Sequence, residues 1–324
     1  MCLFSTTSYE NTMSRKCLIL GGNGFIGYTL IKELAGRGLS IRSVDRDYPD
    51  EEIRIDSVEY YTGDIWDKTF LYNALNGIEM VYDFIATTMP NTKDVSLENE
   101  IDNTLRYHNY ILSNMYESGV KYYVFPSSGG AIYGNTNKLA KEEDELMPTT
   151  PYGVGKQMTE ALINYYSHRC GINAYIFRIG NVYGSSTLRK KPQGVVDIFI
   201  QRALKNEPLI IWGNAKNVIR DYIYLEDVVK IIADVTEENR LGIEVYNVGT
   251  GKGTSLEKLI KIIENEINRI LVVEYKTEMA SGIDSIVLSN EKLKKTIGKL
   301  DITELEDGIR NTINRKRKLL EHQK

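Results

Sequence analysis

Lys16-Cys-Leu-Ile-Leu-Gly-Gly-Asn-Gly-Phe-Ile-Gly27 reads as a buried strand that runs into a glycine turn and then a helix. Gly22, Gly24 and Gly27 satisfy G-x-G-x-x-G, and Gly21, Gly24 and Gly27 satisfy the wider G-x-x-G-x-x-G spacing. Such a turn lets backbone N–H groups approach a pyrophosphate, packs the helix closely on the strand and points the positive helix end at the ligand. Alone, the pattern also fits a bare structural turn. Its surroundings argue for the ligand: an apolar run precedes it, Phe25, Ile26, Leu30, Ile31 and Leu34 follow at helical spacing, and Ser40-Ile-Arg-Ser-Val-Asp45 supplies a second strand ending in an acid. Asp45 lies 21 residues after Gly24, where a carboxylate accepts both ribose hydroxyls of NAD and repels a 2′-phosphate. Arg46 beside it weakens that preference.

The chain of 324 residues is 42% hydrophobic and 26% charged, an ordinary soluble globular composition with room for two lobes. A formal net charge of −4 gives no support for a nucleic-acid partner. Cys2, Cys17 and Cys170 lack the spacing of a disulfide framework or zinc site, and three histidines leave few ligands. No metal is therefore expected, and the expected compartment is the reducing cytoplasm. No apolar stretch approaches the ~20 residues of a membrane span, so no membrane partner is expected. Residues 1–13 lack the basic start and apolar core of a signal peptide; they are expected to form a disordered extension, with Met13 as an alternative start.

After Asp45, short β-branched runs alternate with amphipathic helical windows, which predicts a parallel sheet with right-handed crossovers. Strands are expected at 17–21, 40–45, 58–62, 80–86, 121–127 and 173–179, and helices at 24–37, 67–76, 95–118 and 152–170. The fold class is α/β: a Rossmann-type doubly wound parallel sheet over 14–180 and a smaller C-terminal substrate-binding lobe over 181–324. Glu244-Val-Tyr-Asn-Val248 is expected to return to the sheet. In the second lobe a basic loop, Leu188-Arg-Lys-Lys191, and Pro192 precede a helix from Val195 to Leu204. Tyr107, Tyr110, Ile111 and Met115 on one long helix, with Leu162, Ile163 and Tyr166 on the other, exceed what one domain face should need, which predicts a homodimer. The Arg315-Lys-Arg-Lys318 run reads as a solvated helix end.

Tyr152-Gly-Val-Gly-Lys156 places a phenol and an ammonium four residues apart on one face of the helix that Pro151 opens. Bringing a phenol from about 10 to near 7 takes roughly 4 kcal/mol, which a neighbouring cation and an oxidised nicotinamide together can supply. Tyr28 and Lys32 repeat the spacing, but on the cofactor-side helix. Tyr152 follows the fifth strand, at the carboxyl edge where ligands of doubly wound sheets sit.

With these residues the chain resembles the extended short-chain dehydrogenase/reductase family, the NAD-dependent epimerase/dehydratases, and among them the UDP-glucose 4-epimerase-like sugar-nucleotide enzymes. The resemblance covers about residues 15 to 300 and rests on the glycine turn, Gly63-Asp64-Ile65, Ser127-Ser-Gly-Gly-Ala-Ile-Tyr-Gly134, Tyr152/Lys156, Arg178-Ile-Gly-Asn-Val-Tyr-Gly184 and Arg220-Asp-Tyr-Ile223. It implies that Asp64 and Ile65 touch adenine, that Ala86 lies along the cofactor and that Lys156 also holds the nicotinamide ribose. It further implies that Asn181 contacts the nucleotide-sugar, that Arg220 grips its diphosphate and that Asp284 lies near the uridine ribose, although Ser281 stands where an arginine is usual. Each has a plainer alternative: Asp64 as a turn former, Arg220 as a salt-bridge partner, Asn181 as a loop cap, and Tyr224 and Trp212 as packing residues.

Gly129 departs from the pattern, because these enzymes commonly carry a serine or threonine four residues before the tyrosine of the Tyr-Gly pair; Ala131 replaces another frequent threonine. Ser128, and second Ser127, are the candidates to supply the missing hydroxyl. The related 4,6-dehydratases carry an Asp-Glu pair that Gly130 and Ala131 do not reproduce. The sequence is thus read as an NAD-dependent UDP-hexose 4-epimerase, with a 4-keto sugar-nucleotide reductase and a catalytically inactive sugar-nucleotide sensor as alternatives.

Overall fold

A computed structural model describes residues 15–88, 96–184, 194–212, 218–276 and 283–321. The extension at 1–13, the basic loop 188–191 with Pro192, and Ser281 lie outside the described residues. In chain order the elements are β1 Lys16–Leu20, α1 Phe25–Gly36, β2 Ser40–Asp45, β3 Val58–Thr62, α2 Lys68–Leu75, β4 Met80–Asp83, α3 Leu97–Glu117, β5 Tyr122–Ser128, α4 Gly129–Ile132, β6 Leu139–Ala140, α5 Pro151–Cys170 and β7 Asn173–Ile179. They continue as β8 Asn181–Tyr183, α6 Val195–Leu204, β9 Leu209–Trp212, β10 Ile219–Tyr224, α7 Leu225–Glu237, β11 Ile243–Val248, β12 Gly253–Ser255, α8 Leu256–Ile267, β13 Val273–Lys276, β14 Ser285–Leu288, α9 Glu291–Ile297 and α10 Leu305–Glu321.

Seven parallel strands form the central sheet in the order β11-β7-β5-β4-β1-β2-β3. The order reverses between β1 and β4, which opens a crevice at their carboxyl ends. Alternate residues of one strand feed opposite faces, as the pleat requires. Cys17 and Ile19 pack with the buried faces of α1 and α7 on one side. Leu18 and Leu20 pack with α2, α3 and α5 on the other. Each large aliphatic side chain buried this way contributes about 1.5–3 kcal/mol. The return to the sheet involves more than the expected strand: Val228, Val229, Ile231 and Ile232 of α7 belong to the same core cluster as Leu30 and Leu34 of α1.

A second sheet, β12-β10-β14-β6 with β8 beside β10, and the β13-β9 pair support the other lobe. Its core joins Phe199, Ile200, Leu259, Ile263, Ile309 and Ile313. The basic run on α10 is no solvated face throughout. Lys316 is buried against Asp197 at 3.0 Å, and Arg315 bonds Glu226, because α10 packs into this lobe with that side inward.

Thr150 caps α5 by accepting from the Gly153 amide at 3.1 Å, Pro151 occupies the first turn, and Gly171 ends the helix in the left-handed region at φ 70°. Tyr107, Ile111, Met115, Ile163 and Tyr166 are all buried within this chain's own core. The apolar load of α3 and α5 is therefore largely consumed internally, and Leu97, Tyr116 and Tyr165 are what these helices leave exposed. Among the described residues no helix is long and apolar enough to cross a membrane, and no cluster of His, Cys, Asp or Glu could hold a metal ion.

A buried ion pair ties α5 to β7. Arg178 Nη2 donates to Glu160 Oε2 at 2.7 Å and Nε to Oε1 at 3.1 Å. Removing one partner strands the other charge in the core. Glu160→Ala is expected to cost about 3–5 kcal/mol, read as a lower urea midpoint; a change below about 1 kcal/mol would show that Arg178 finds water or another partner.

Candidate active site

The glycine turn is drawn tight by its own backbone. The Gly24 amide donates to the Gly21 carbonyl at 2.9 Å, while the Gly21 amide donates to Val44 at 2.9 Å and anchors the turn to β2. Gly21 has φ +78°, and a Cβ at Gly24 would stand 2.7 Å from the Gly21 carbonyl oxygen, so the cradle closes only with glycine. Gly24 gives α1 no side-chain cap, as a helix start that receives an anion requires. Gly27 is buried, and the half-buried Phe25 and Ile26 pack on the core beneath. These residues fit a dinucleotide pyrophosphate.

Asp45 is half-buried beside this turn, its Oδ2 accepting from the Asn23 amide at 2.9 Å and its Oδ1 from the Arg46 amide at 2.8 Å. Asp64 is exposed and accepts from the Trp66 amide at 3.0 Å, so its turn-forming role is realised; the half-buried Ile65 packs on the sheet. Ala86 is exposed in the segment after β4. Thr88, two residues on, donates to Glu100 of α3 at 2.8 Å.

Tyr152 and Lys156 stand one turn apart on α5, with the ammonium 5.6 Å from the centre of the phenol ring. Ser128, at the end of β5, lies beside the Tyr152 side chain. Burial pushes the phenol up to about 12, the neighbouring Ser128 hydroxyl opposes this, and the Glu100 carboxylate adds to it. Lys156 donates to the Pro126 carbonyl at 2.9 Å, and burial brings it down to about 8 against the pull of Asp83, Glu100 and Glu160. Ser127 is turned elsewhere: its hydroxyl donates to Glu160 at 2.6 Å, inside the Arg178 pair. Tyr28 and Lys32 lie on α1, away from β5.

The glycine at 129 has a packing reason. A Cβ there would stand 2.5 Å from Leu288 Cδ1 and 3.0 Å from the Arg178 carbonyl oxygen, so β14 occupies the space a serine would need. Gly130 faces Asn181, whose Oδ1 is buried without a hydrogen-bond partner. An orphaned acceptor of this kind marks a place for a ligand donor.

Arg220 stands near the start of β10. Its guanidinium donates to the carbonyls of Ile219 at 2.9 Å, Asp284 at 3.0 Å and Ile283. None of the ion pairs among the described residues includes it, and burial lowers its pKa. The exposed Asp284 contributes its backbone here, and its carboxylate opposes the lowering of the Arg220 pKa. The neighbouring Asp221 is structural: it accepts from the amides of Thr250 at 2.9 Å, Gly251 at 3.1 Å and Leu288 at 3.2 Å. Tyr224 packs against Tyr183 at 5.5 Å between ring centres, and Trp212 is exposed at the end of β9.

Three site acids escaped the sequence reading. Asp83 closes the apolar Met80–Tyr82 run, Glu100 sits in the first turns of α3, and Glu160 lies two turns along α5 from Tyr152. An acid ending a buried strand beside the cofactor crevice was the available signal for the first; nothing local marks the other two.

Residues 17–249 match the model of the NAD dependent epimerase/dehydratase family, so the chain belongs to that family and is an enzyme with NAD as its cofactor. It is 28% identical over 305 residues, covering 90% of this chain and 94% of the relative, to the dTDP-4-dehydro-6-deoxyglucose reductase of Escherichia coli. Its fold matches the Thermus thermophilus UDP-glucose 4-epimerase in complex with NAD at a TM-score of 0.82 and 28% identity, covering 93% of this chain and 99% of the other. The Thermotoga maritima UDP-glucose 4-epimerase with UDP-glucose matches at 0.82 and 27%, covering 94% and 99%. Chemistry of the nucleotide-sugar epimerase, dehydratase and reductase kind is the function of this chain.

Arg220→Ala is expected to weaken UDP binding by about 2–4 kcal/mol in calorimetry. An unchanged dissociation constant would confine Arg220 to bracing β10 against β14.

Proposed function

We propose that the protein is a UDP-hexose 4-epimerase, acting by transient oxidation at C4 and re-reduction of the keto sugar on its opposite face. The observation that carries this reading is the placing of Tyr152 and Lys156 on α5 beside Ser128 at the carboxyl end of β5, on the sheet whose β1 runs into the glycine turn. Tyr152 would take the C4 hydroxyl proton and later return it, and Ser128 would hold the same oxygen in line. NAD, when bound, would supply the hydride acceptor and donor, and positive charge on its oxidised ring. Gly21, Gly24 and Gly27 would hold the pyrophosphate, Asp45 the adenine ribose, Asp64 and Ile65 the adenine, Ala86 the edge of the cofactor and Lys156 the nicotinamide ribose. Asn181, Arg220 and Asp284 would hold the nucleotide-sugar, with Arg220 on the diphosphate. Gly130 and Ala131 offer no proton-transfer group, which argues against elimination of water. Two free cysteines among the described residues, Cys17 and Cys170, fit a cytoplasmic place.

The similarity to a 4-keto sugar reductase favours a second reading, reduction with net consumption of the dinucleotide. The inactive-sensor alternative gives way, since the family is one of enzymes and Ser128 supplies a hydroxyl that Gly129 does not.

Incubating the purified protein with UDP- and dTDP-hexoses, and following the anomeric protons by NMR, is expected to equilibrate UDP-glucose with UDP-galactose without net NADH. Tyr152→Phe should lower turnover by at least two orders of magnitude and Ser128→Ala by roughly 30- to 1000-fold, with binding nearly kept. Stoichiometric oxidation of NADH by a 4-keto sugar, with no epimerisation, would establish the reductase instead.

We also infer a homodimer through α3 and α5, on the narrower ground of exposed Leu97, Tyr116 and Tyr165. Light scattering at micromolar concentration should give twice the chain mass; a monomer would contradict it.

A further inference from the structure

We propose that Leu288 of β14 is a positioning residue for the reaction: wedged against Gly129, its side chain fixes the piece of backbone that carries Ser128, so the second lobe acts on the chemical step as well as on binding. The proposal rests on the reading of Ser128 and Tyr152 as reacting partners, and goes beyond it by naming what holds the serine in place.

Gly129 follows Ser128 directly and opens α4. Its φ lies outside the left-handed region, so the backbone there suits an ordinary residue and only space calls for glycine. That space is closed from two sides. A Cβ would meet Leu288 Cδ1 at 2.5 Å and Cδ2 at 2.8 Å on one, and the Arg178 carbonyl oxygen at 3.0 Å on the other. The Arg178 side belongs to the central sheet, where β5 pairs with β7 as far as Ser128 opposite Ile179. The next residue is looser, since a Cβ at Gly130 would meet only Asn181 Oδ1, at 3.3 Å.

Leu288 has no room to withdraw. It is buried with Ile132, Tyr133, Ala140, Ile283 and Ile286. Its amide donates to Asp221 Oδ2 at 3.2 Å, a carboxylate held in turn by the Thr250 and Gly251 amides at 2.9 and 3.1 Å. β14 lies between β10 and β6 with Leu288 opposite Ala140, and the Ser289 amide closes the pairing on the Ala140 carbonyl at 2.7 Å. At the other end of the strand, Arg220 donates to the carbonyls of Ile283 and Asp284. Roughly 13 Å of extended chain therefore joins the guanidinium proposed for the diphosphate to the turn after Ser128. A leucine can offer that turn no proton and no charge. What it offers is a fixed wall, where a displacement of about 1 Å at a reacting group costs on the order of a hundredfold in rate.

The test is a double-variant cycle on the purified protein with its NAD, reading turnover of UDP-glucose by NMR and UDP affinity by calorimetry. Gly129→Ala forces a methyl against the leucine, and Leu288→Ala removes the wall. Each alone should lower kcat about tenfold or more, with the UDP dissociation constant within about twofold of wild type. Together, the new methyl fills part of the vacated space, so the paired variant should turn over faster than either single one. Leu288→Val, a smaller change, takes the place of Leu288→Ala in the cycle if the larger cavity unfolds the protein, and if Gly129→Ala alone does not fold, the paired variant must. Wild-type kcat in either folded single variant, a paired variant that is not faster than both, or one that fails to recover the fold would overturn the proposal. Ser128→Ala at the wild-type rate would instead remove the serine's role while leaving the coupling between 129 and 288 intact, so the two failures are distinguishable.

Discussion

The active-site half of the molecule depends on the buried Glu160–Arg178 ion pair. Besides the carboxylate, Arg178 donates to the Tyr133 hydroxyl at 2.8 Å and the Glu142 carbonyl at 2.9 Å, and Tyr133 in turn donates to Asn247 of β11 at 2.7 Å. Glu160 also accepts from Ser127 at the end of β5. Tyr133, Glu142 and Glu160 are held directly to one guanidinium, and Ser127 and Asn247 are joined to it through Glu160 and Tyr133. Buried pairs of this kind roughly break even in stability against apolar substitutes. Their contribution here is registration: Ser128 adjoins Ser127, which donates to Glu160, and Tyr152 lies two helical turns from Glu160 on α5.

Electrostatically, the protein alone holds the site back from reaction. Burial raises the Tyr152 phenol and lowers the Lys156 ammonium, the reverse of what proton abstraction wants. The same apolar surroundings that oppose ionisation also strengthen any charge interaction formed within them. On the proposed mechanism, a cofactor bearing positive charge on its ring would act on the phenol in a medium where that influence is large.

Much of this was legible in the sequence. The strands at 40–45, 58–62 and 173–179 have the expected boundaries; those at 40–45 and 173–179 are buried on both faces, whereas 58–62 is a half-exposed edge. Tyr152 and the glycine turn were legible because their chemistry is local. Partnership at a distance was not. That Leu288 fills the space at Gly129, that Lys316 turns inward to Asp197, and that α7 joins α1 are facts about residues dozens of positions apart, for which periodicity carries no information. The aromatic residues of α3 were visible in number, but not that the core absorbs Tyr107.

The return of α7 and β11 to the first sheet bears on how the chain is made. β7 pairs with β11 between Ala174 and Ile243, so the edge of β7 stays unpaired until nearly seventy further residues have been synthesised. Through that interval the Tyr175 and Phe177 faces that α7 and β11 will cover lie open on a nascent chain, with exposed strand backbone beside them. The first lobe cannot finish before much of the second has emerged. Folding is thereby made a single late event rather than two in succession, and a fragment ending between the lobes would be left with an adhesive edge.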